Sequence, residues 1–227
     1  KKQATLTGSV SRSGISYHDM LKKADIFIKK AEFDSALKYY QQANIVIGSE
    51  NKWEEYLNTL LKQVDILRTK GHNDEAYKKL AEAQKIYDSK CPGKTSLQAD
   101  ILHRKGILLM DKGNFDSSSL AFNQSIGIRI KATNENDTSL ALTYNGLGTI
   151  SFFKGDYNGA LSYYLKAYNL ALKRKQPEDA DLAYFLQNTG IIYAQLGDFS
   201  QAETALTSSL KINEKISPSD DPDLANR

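Results

Sequence analysis

Residues 147–167 run LGTISFFKGDYNGALSYYLKA, and their order decides the fold. Apolar residues recur at helical spacing before Gly155 and again after it. Gly155 is placed to end the first helix, because a residue without a Cβ readily takes the left-handed backbone that follows a helix C-terminus. Tyr157 then opens the second helix and folds back over the turn. Gly148, Ala160 and Ala167 lie on facing sides of the two helices. Helix axes pack about 8–10 Å apart, and small residues permit the close end of that range. Tyr164 fills the space beside them. The unit is a helical hairpin with one apolar face left over, and stacking a second hairpin on it buries that face.

The same order recurs along the chain. Gly71, Gly113, Gly155 and Gly197 are each 42 residues apart. Two residues after each come Asn73, Phe115, Tyr157 and Phe199; five after, Ala76, Ser118, Ala160 and Ala202. Nine after come Leu80, Phe122, Tyr164 and Leu206; twelve after, Ala83, Ser125, Ala167 and Ser209. Seven before each glycine stand Val64, Gly106, Gly148 and Gly190. An earlier copy lies 40 residues upstream of the first, with Ala24, Ala31, Phe33, Ala36, Tyr40 and Ala43.

In this register the chain resembles the tetratricopeptide repeat (TPR) family. The resemblance is clearest in Leu147-Gly148, Gly155-Asp156-Tyr157, Ala160, Tyr164 and Ala167, and again in Gly190, Tyr193, Gly197-Asp198-Phe199 and Ala202. The 42-residue period is similar to that of kinesin light chain repeats and of bacterial TPR proteins, including TPR–CHAT proteins. The resemblance implies an all-α, right-handed superhelical solenoid of about five hairpins. The expected repeats are residues 16–49, 50–91, 95–134, 137–176 and 178–217, after a flexible segment 1–15. Asp223-Leu224-Ala225 repeats Asp181-Leu182-Ala183 at a distance of 42, so 218–227 is expected to start a sixth, truncated repeat of a longer protein. The pattern departs locally at Val64, Asn73, Ser118 and Ser125, and at Ser151, where the aromatics shift to Phe152 and Phe153.

The links carry helix-start chemistry. Asp137 or Thr138 is an expected N-cap, Pro177-Glu178-Asp179 suits a first helical turn, and Cys91-Pro92-Gly93 reads as a loop.

Composition narrows the function. Hydrophobic residues make up 41% and charged residues 25%, as in folded proteins generally. A net charge of +3 is too slight to argue for nucleic acid or an anionic membrane. No apolar run approaches the roughly 20 residues of a membrane helix. The single Cys91 excludes an intrachain disulfide, which fits the cytoplasm and is compatible with a periplasm. His18, His72 and His103 belong to no metal pattern, and Gly146-x-Gly148 reads as close helix packing rather than a phosphate loop. Neither catalysis, a cofactor nor a metal is expected.

The resemblance implies a module that binds a protein or peptide on the concave side, lined by the first helix of each hairpin. Self-association is a further implied mode. Carried over by register, the surface comprises Lys62, Asp65 and Arg68; His103, Arg104 and Ile107; Asn145, Thr149, Phe152 and Phe153; and Tyr184, Gln187, Asn188, Ile191 and Gln195. His18, Leu21, Asp25 and Lys29 hold the matching places in the first copy, Asn58 and Leu61 in the second, and Asp100 and Met110 in the third. A Lys/Asn/Arg carboxylate clamp is incomplete, since Leu21 and Asp25 stand where Lys and Asn are needed. Asn145, Gln187 and Asn188 suit an extended peptide backbone, because a side-chain amide offers both donor and acceptor. Phe152 and Phe153 point about 100° apart on a helix. Either one packs between hairpins while the other projects into the groove, or both are buried. An alternative function is a regulatory domain that senses a small signalling peptide and controls an attached effector.

Overall fold

The computed structural model describes residues 15–134, 136–174 and 180–216. Among them are ten α-helices and one 3-10 turn, and no strand, so the all-α expectation holds. The helices are α1 (Tyr17–Lys29), α2 (Phe33–Ser49), α3 (Trp53–Thr69), α4 (Asn73–Lys90), α5 (Thr95–Asp111), α6 (Phe115–Ala132), α7 (Ala141–Phe153), α8 (Tyr157–Ala171), α9 (Ala180–Gln195) and α10 (Phe199–Ile216). Asp137 caps the 3-10 turn Thr138–Leu140 by accepting a hydrogen bond from the Ser139 N–H at 2.9 Å. The expected segment before Ile15, the Pro177-Glu178-Asp179 helix start and the sixth-repeat start at 218–227 lie outside the described residues.

The chain forms two compact units, one ending at Arg104 and the other beginning at Lys105. In the first, α1 pairs with α2, α2 lies against α3, and α3 pairs with α4. In the second, α6 lies against α7, α7 pairs with α8, α8 lies against α9, and α9 pairs with α10.

The spaced glycines do what their position predicts. Gly155 follows α7 with φ +77°, its N–H donates to the Phe152 carbonyl, and the Asp156 N–H donates to the Ser151 carbonyl, both at 2.9 Å. These two bonds satisfy carbonyls that the helix end would otherwise strand. In the first copy the same turn is built on Ala31, at φ +58°, with bonds to the Ile28 and Phe27 carbonyls at 2.9 Å. A Cβ in the left-handed region costs roughly 1–2 kcal/mol, while glycine loses more freedom on folding. Ala31→Gly is therefore expected to stabilise the chain by about 0.5–1 kcal/mol. A urea titration that shows a loss would mean the turn is not strained.

Between the helices of a hairpin, the small residue sits under the large one. A Cβ on Gly148 would lie 2.6 Å from the Tyr164 ring, and one on Gly106 would lie 2.6 Å from the Phe122 ring. Gly146 approaches the same Phe122 ring from α7, again at 2.6 Å. Val64 and Leu80 hold the matching places of the second copy and both are buried, so the departure at Val64 comes with a smaller residue at the large position. The serines at alanine places are buried and bonded: Ser118 Oγ donates to the Gly106 carbonyl and Ser209 Oγ to the Ala183 carbonyl, both at 2.6 Å.

Gly127 in α6 is the contrast, since a Cβ there meets nothing within 4 Å. Gly127→Ala should gain about 0.5–1 kcal/mol from helix propensity alone. Gly148→Ala gains the same propensity but overpacks Tyr164, which costs about 1–3 kcal/mol, so its net effect should be destabilising. Thermal melts of the two variants should move in opposite directions.

Candidate functional site

In the first unit the residues expected to face a ligand are largely paired with one another. Asp25 on α1 accepts a hydrogen bond from Lys62 on α3 at 2.7 Å and another from the Tyr40 hydroxyl. Partial burial pushes the Asp25 carboxyl up, but these two bonds outweigh it and hold the group below its ordinary value. Burial, and then Asp25 itself, push the Tyr40 phenol well above its usual range. The Lys62 ammonium also lies 5.4 Å from the centre of the Tyr40 ring.

One register step on, Asp65 accepts from Arg104 Nη2 at 2.7 Å and Nε at 3.1 Å. Arg104 also reaches the Leu61 carbonyl at 3.2 Å and the Asp100 carbonyl at 3.4 Å. Arg68 and His103 are half-buried and interact with the protein itself. Leu61, assigned to the surface by register, is 2% exposed and belongs to the core. It lies one helical step from Lys62, so the inward face begins there. Buried Thr59 of α3 donates from its hydroxyl to the Asn44 side chain of α2.

The second unit presents a different surface. Asn145 of α7 is buried, and its Oδ1 accepts from Asn188 Nδ2 of α9 at 2.9 Å. Asn145 Nδ2 and Asn188 Oδ1 have no partner among the described residues, which leaves one amide donor and one amide acceptor side by side. Tyr184, Gln187, Asn188, Ile191 and Gln195 follow one another at helical spacing along α9. All but Asn188, which is half-buried, are exposed.

Thr149 has another task. Its hydroxyl donates to the Asn145 carbonyl at 3.1 Å and accepts from the Tyr164 hydroxyl at 3.2 Å. Ile107 packs, partly buried, on the core around Phe122.

Phe152 and Phe153 part company. Phe152 packs against the cluster of Ala160, Tyr164 and Ile192. Phe153 is 60% exposed, and its ring stacks on Phe115 at 5.5 Å and 10°. It lies eight residues beyond Asn145, about 12 Å along the helix and about 80° round it. Phe153 therefore belongs to the turn edge of α7 and α6 rather than to the amide pair.

The sequence reading overlooked the tyrosine partners. Tyr40 with Asp25 and Tyr164 with Thr149 occupy the same two register places, whereas Phe122 stands with Ile107 and Leu206 with Ile191. A polar residue fills the first place where the large residue carries a hydroxyl. At Asp65 the large residue is Leu80, and the carboxylate turns instead to Arg104. That covariation was visible in the aligned copies.

Among the described residues no group of three or more His, Cys, Asp or Glu side chains could hold a metal ion. No described helix is long and apolar enough to cross a membrane. Cys91 is buried, and burial pushes its thiol up.

Residues 139–215 match the tetratricopeptide repeat family model. A comparison with curated protein sequences finds no match. Among solved structures the chain is similar to BtubC (BKLC) from P. vanneervenii at 19% identity, with a TM-score of 0.68 over 90% of this chain and 82% of that one. It is similar to the Rap conjugation gene regulator of plasmid pLS20, solved with the Phr* peptide, at 18% identity and a TM-score of 0.75. That match covers 95% of this chain and 60% of the regulator. A kinesin light chain-like TPR protein of Podosopora anserina matches at 14% identity and a TM-score of 0.59, over 89% of this chain and 96% of the other. At these identities the likeness speaks for the fold. Repeat period, hairpin turns, the family match over residues 139–215 and the solved folds agree on a tetratricopeptide-like fold of stacked helical hairpins.

Proposed function

We propose that the chain is a non-catalytic module that binds an extended protein segment or peptide, with the α7–α9 face of the second unit as its principal contact. The observation that carries this reading is the amide pair of Asn145 and Asn188, with its spare donor and spare acceptor. A peptide group presents one carbonyl and one N–H, so a single backbone unit of an extended ligand satisfies both. Tyr184, Gln187, Ile191 and Gln195 continue the surface and offer apolar and amide contacts to side chains on either flank. The face of the first unit is better supplied with charge, but Asp25, Lys62, Asp65 and Arg104 neutralise one another. Those residues position first helices and contribute less to a ligand. The favoured ligand is thus uncharged near the amide pair, consistent with the slight net charge of +3.

A regulatory role is the second reading, in which a signalling peptide on this surface controls an attached effector domain. The peptide-bound Rap neighbour favours it at the level of fold. Selection of peptides against the immobilised chain, followed by calorimetry with the winners, tests the binding role. Winners whose affinity is indifferent to changes at Tyr184, Gln187 and Asn188 would place the ligand elsewhere. X-ray scattering at saturating peptide separates the two readings, because an unchanged radius of gyration counts against the sensor.

A further inference from the structure

Three buried polar side chains meet where α2 lies against α3. Asn44 of α2 is 6% exposed, and Thr59 and Gln63 of α3 are 3% and 1% exposed. The Thr59 hydroxyl donates to the Asn44 side chain across this seam. Gln63 lies one turn beyond Thr59, and Ile66 nearly one turn beyond Gln63, so the three share a face of α3. Ile66 packs with Ala36 and Tyr40 of α2. Gln63 therefore faces the stretch of α2 between Tyr40 and Asn44, in the middle of the contact. Its Nε2 is buried and has no hydrogen-bond partner among the described residues.

In the second unit the same register places are largely apolar. Ile126 of α6 stands where α2 has Asn44, and Leu147 of α7 stands where α3 has Gln63; both are buried in one apolar cluster. Of the α6–α7 places only Thr143 is polar. At the α8–α9 seam Tyr168 and Phe185 replace Asn44 and Thr59. Thr189, in the place of Gln63, donates from its hydroxyl to the Phe185 carbonyl of its own helix at 2.8 Å.

A buried donor without an acceptor gives up its water and recovers nothing, so Gln63 opposes the closing of α2 on α3. Ile66 at one end of the seam and Tyr56 at the other remain as apolar anchors. The ion pairs that cross it, Lys62 with Asp25 and Lys70 with Asp34, are partly exposed and hold it weakly. A hairpin in such an array leans on its neighbour, so a weak seam uncouples α1–α2 from α3–α4. We propose that the α2–α3 seam is a parting line built into the first unit, across which the α1–α2 hairpin opens as one piece while α3–α4 stays folded. Opening separates Lys62 from Asp25 and Lys70 from Asp34, so the closed unit masks charges that the opened one presents.

Native-state hydrogen exchange read by mass spectrometry tests this on the 227-residue chain. Peptides from α1 and α2 are expected to exchange at one shared rate, about ten-fold or more faster than peptides from α3 and α4. Gln63→Met keeps the length of the side chain and removes the orphaned donor. It should slow exchange in α1 and α2 by about ten-fold and leave α7 and α8 within about two-fold of wild type. A Gln63 satisfied in solution would give the opposite sign, because methionine would lose its bond. Should Gln63→Met lose helix signal by circular dichroism, Asn44→Leu/Thr59→Val makes the rest of the seam apolar and should slow the same peptides. Two results would overturn the proposal. One is a common rate for α1 to α4 in the wild type. The other is exchange in α1 and α2 that is unchanged or faster once the seam is made apolar, which would assign their early opening to a cause other than the seam.

Discussion

Phe122→Ala is expected to destabilise the second unit by about 3–5 kcal/mol, the largest single effect among these substitutions. Phe122 is 0% exposed, and its ring is held between Gly106 of α5 and Gly146 of α7. Neither glycine has a side chain that can swing into the space a missing ring leaves, so the cavity persists and the cost falls at the upper part of the range for large-to-small changes. The neighbours also share the core of Ile126, Leu140, Leu147 and Phe185, which ties the loss to more than one hairpin. Gly146→Ala should destabilise too, since its Cβ would meet the ring at 2.6 Å. The double variant Phe122→Leu/Gly146→Ala should cost less than the two changes summed, by on the order of 0.5 kcal/mol or more, because leucine retreats from the new methyl group. Amide exchange is the appropriate readout, for repeat proteins need not unfold in one step. A Phe122→Ala cost under about 1 kcal/mol would mean that the helices collapse around the hole, against the rigidity argued here.

Much of this arrangement was legible in the sequence, for a physical reason. A helix terminus that needs a left-handed residue selects glycine strongly, so Gly71, Gly113, Gly155 and Gly197 mark the turns without any tertiary information. The pairing of small with large residues is nearly as clear, because Gly106 opposite Phe122 and Gly148 opposite Tyr164 recur at a fixed offset. What could not be read was which polar groups face inward. Asn145 and Leu61 both lie on first helices in places assigned to the surface, yet Leu61 belongs to the core and Asn145 is buried, its Oδ1 accepting a hydrogen bond from Asn188 of α9. Burial at such a place depends on how closely the next first helix approaches, which one hairpin does not encode. The same holds for Phe153, whose ring finds Phe115 from the neighbouring hairpin. Ala31 and Asn51 show the converse, since both take positive φ, at +58° and +57°, without being glycine; Ala31 stands at the glycine place of the first copy and Asn51 outside that register.

The amide pair gives the most demanding test of the proposed function. With a selected peptide, Asn145→Ala should weaken binding about ten- to hundred-fold, since it removes the spare donor and releases Asn188 from its fixed orientation. Some of that loss could come from disturbed packing, because Asn145 is itself buried. Gln187→Ala separates the two effects. Gln187 is exposed on α9, so its removal should leave thermal stability within about 0.5 kcal/mol while still lowering affinity. The sharper separation changes the ligand instead. Methylating the peptide nitrogen that faces Asn188 Oδ1 removes one N–H and leaves the protein untouched. Against wild type, that methyl group should cost about as much as Asn145→Ala. Against Asn145→Ala it should cost far less, since the acceptor is no longer held in place, and the two changes should couple by roughly 1 kcal/mol or more. Equal methylation penalties in both proteins would show that the ligand backbone does not use the pair. The Asn145–Asn188 bond would then be a brace between α7 and α9, and the binding surface would have to be sought along the exposed aromatic edge of Phe115 and Phe153.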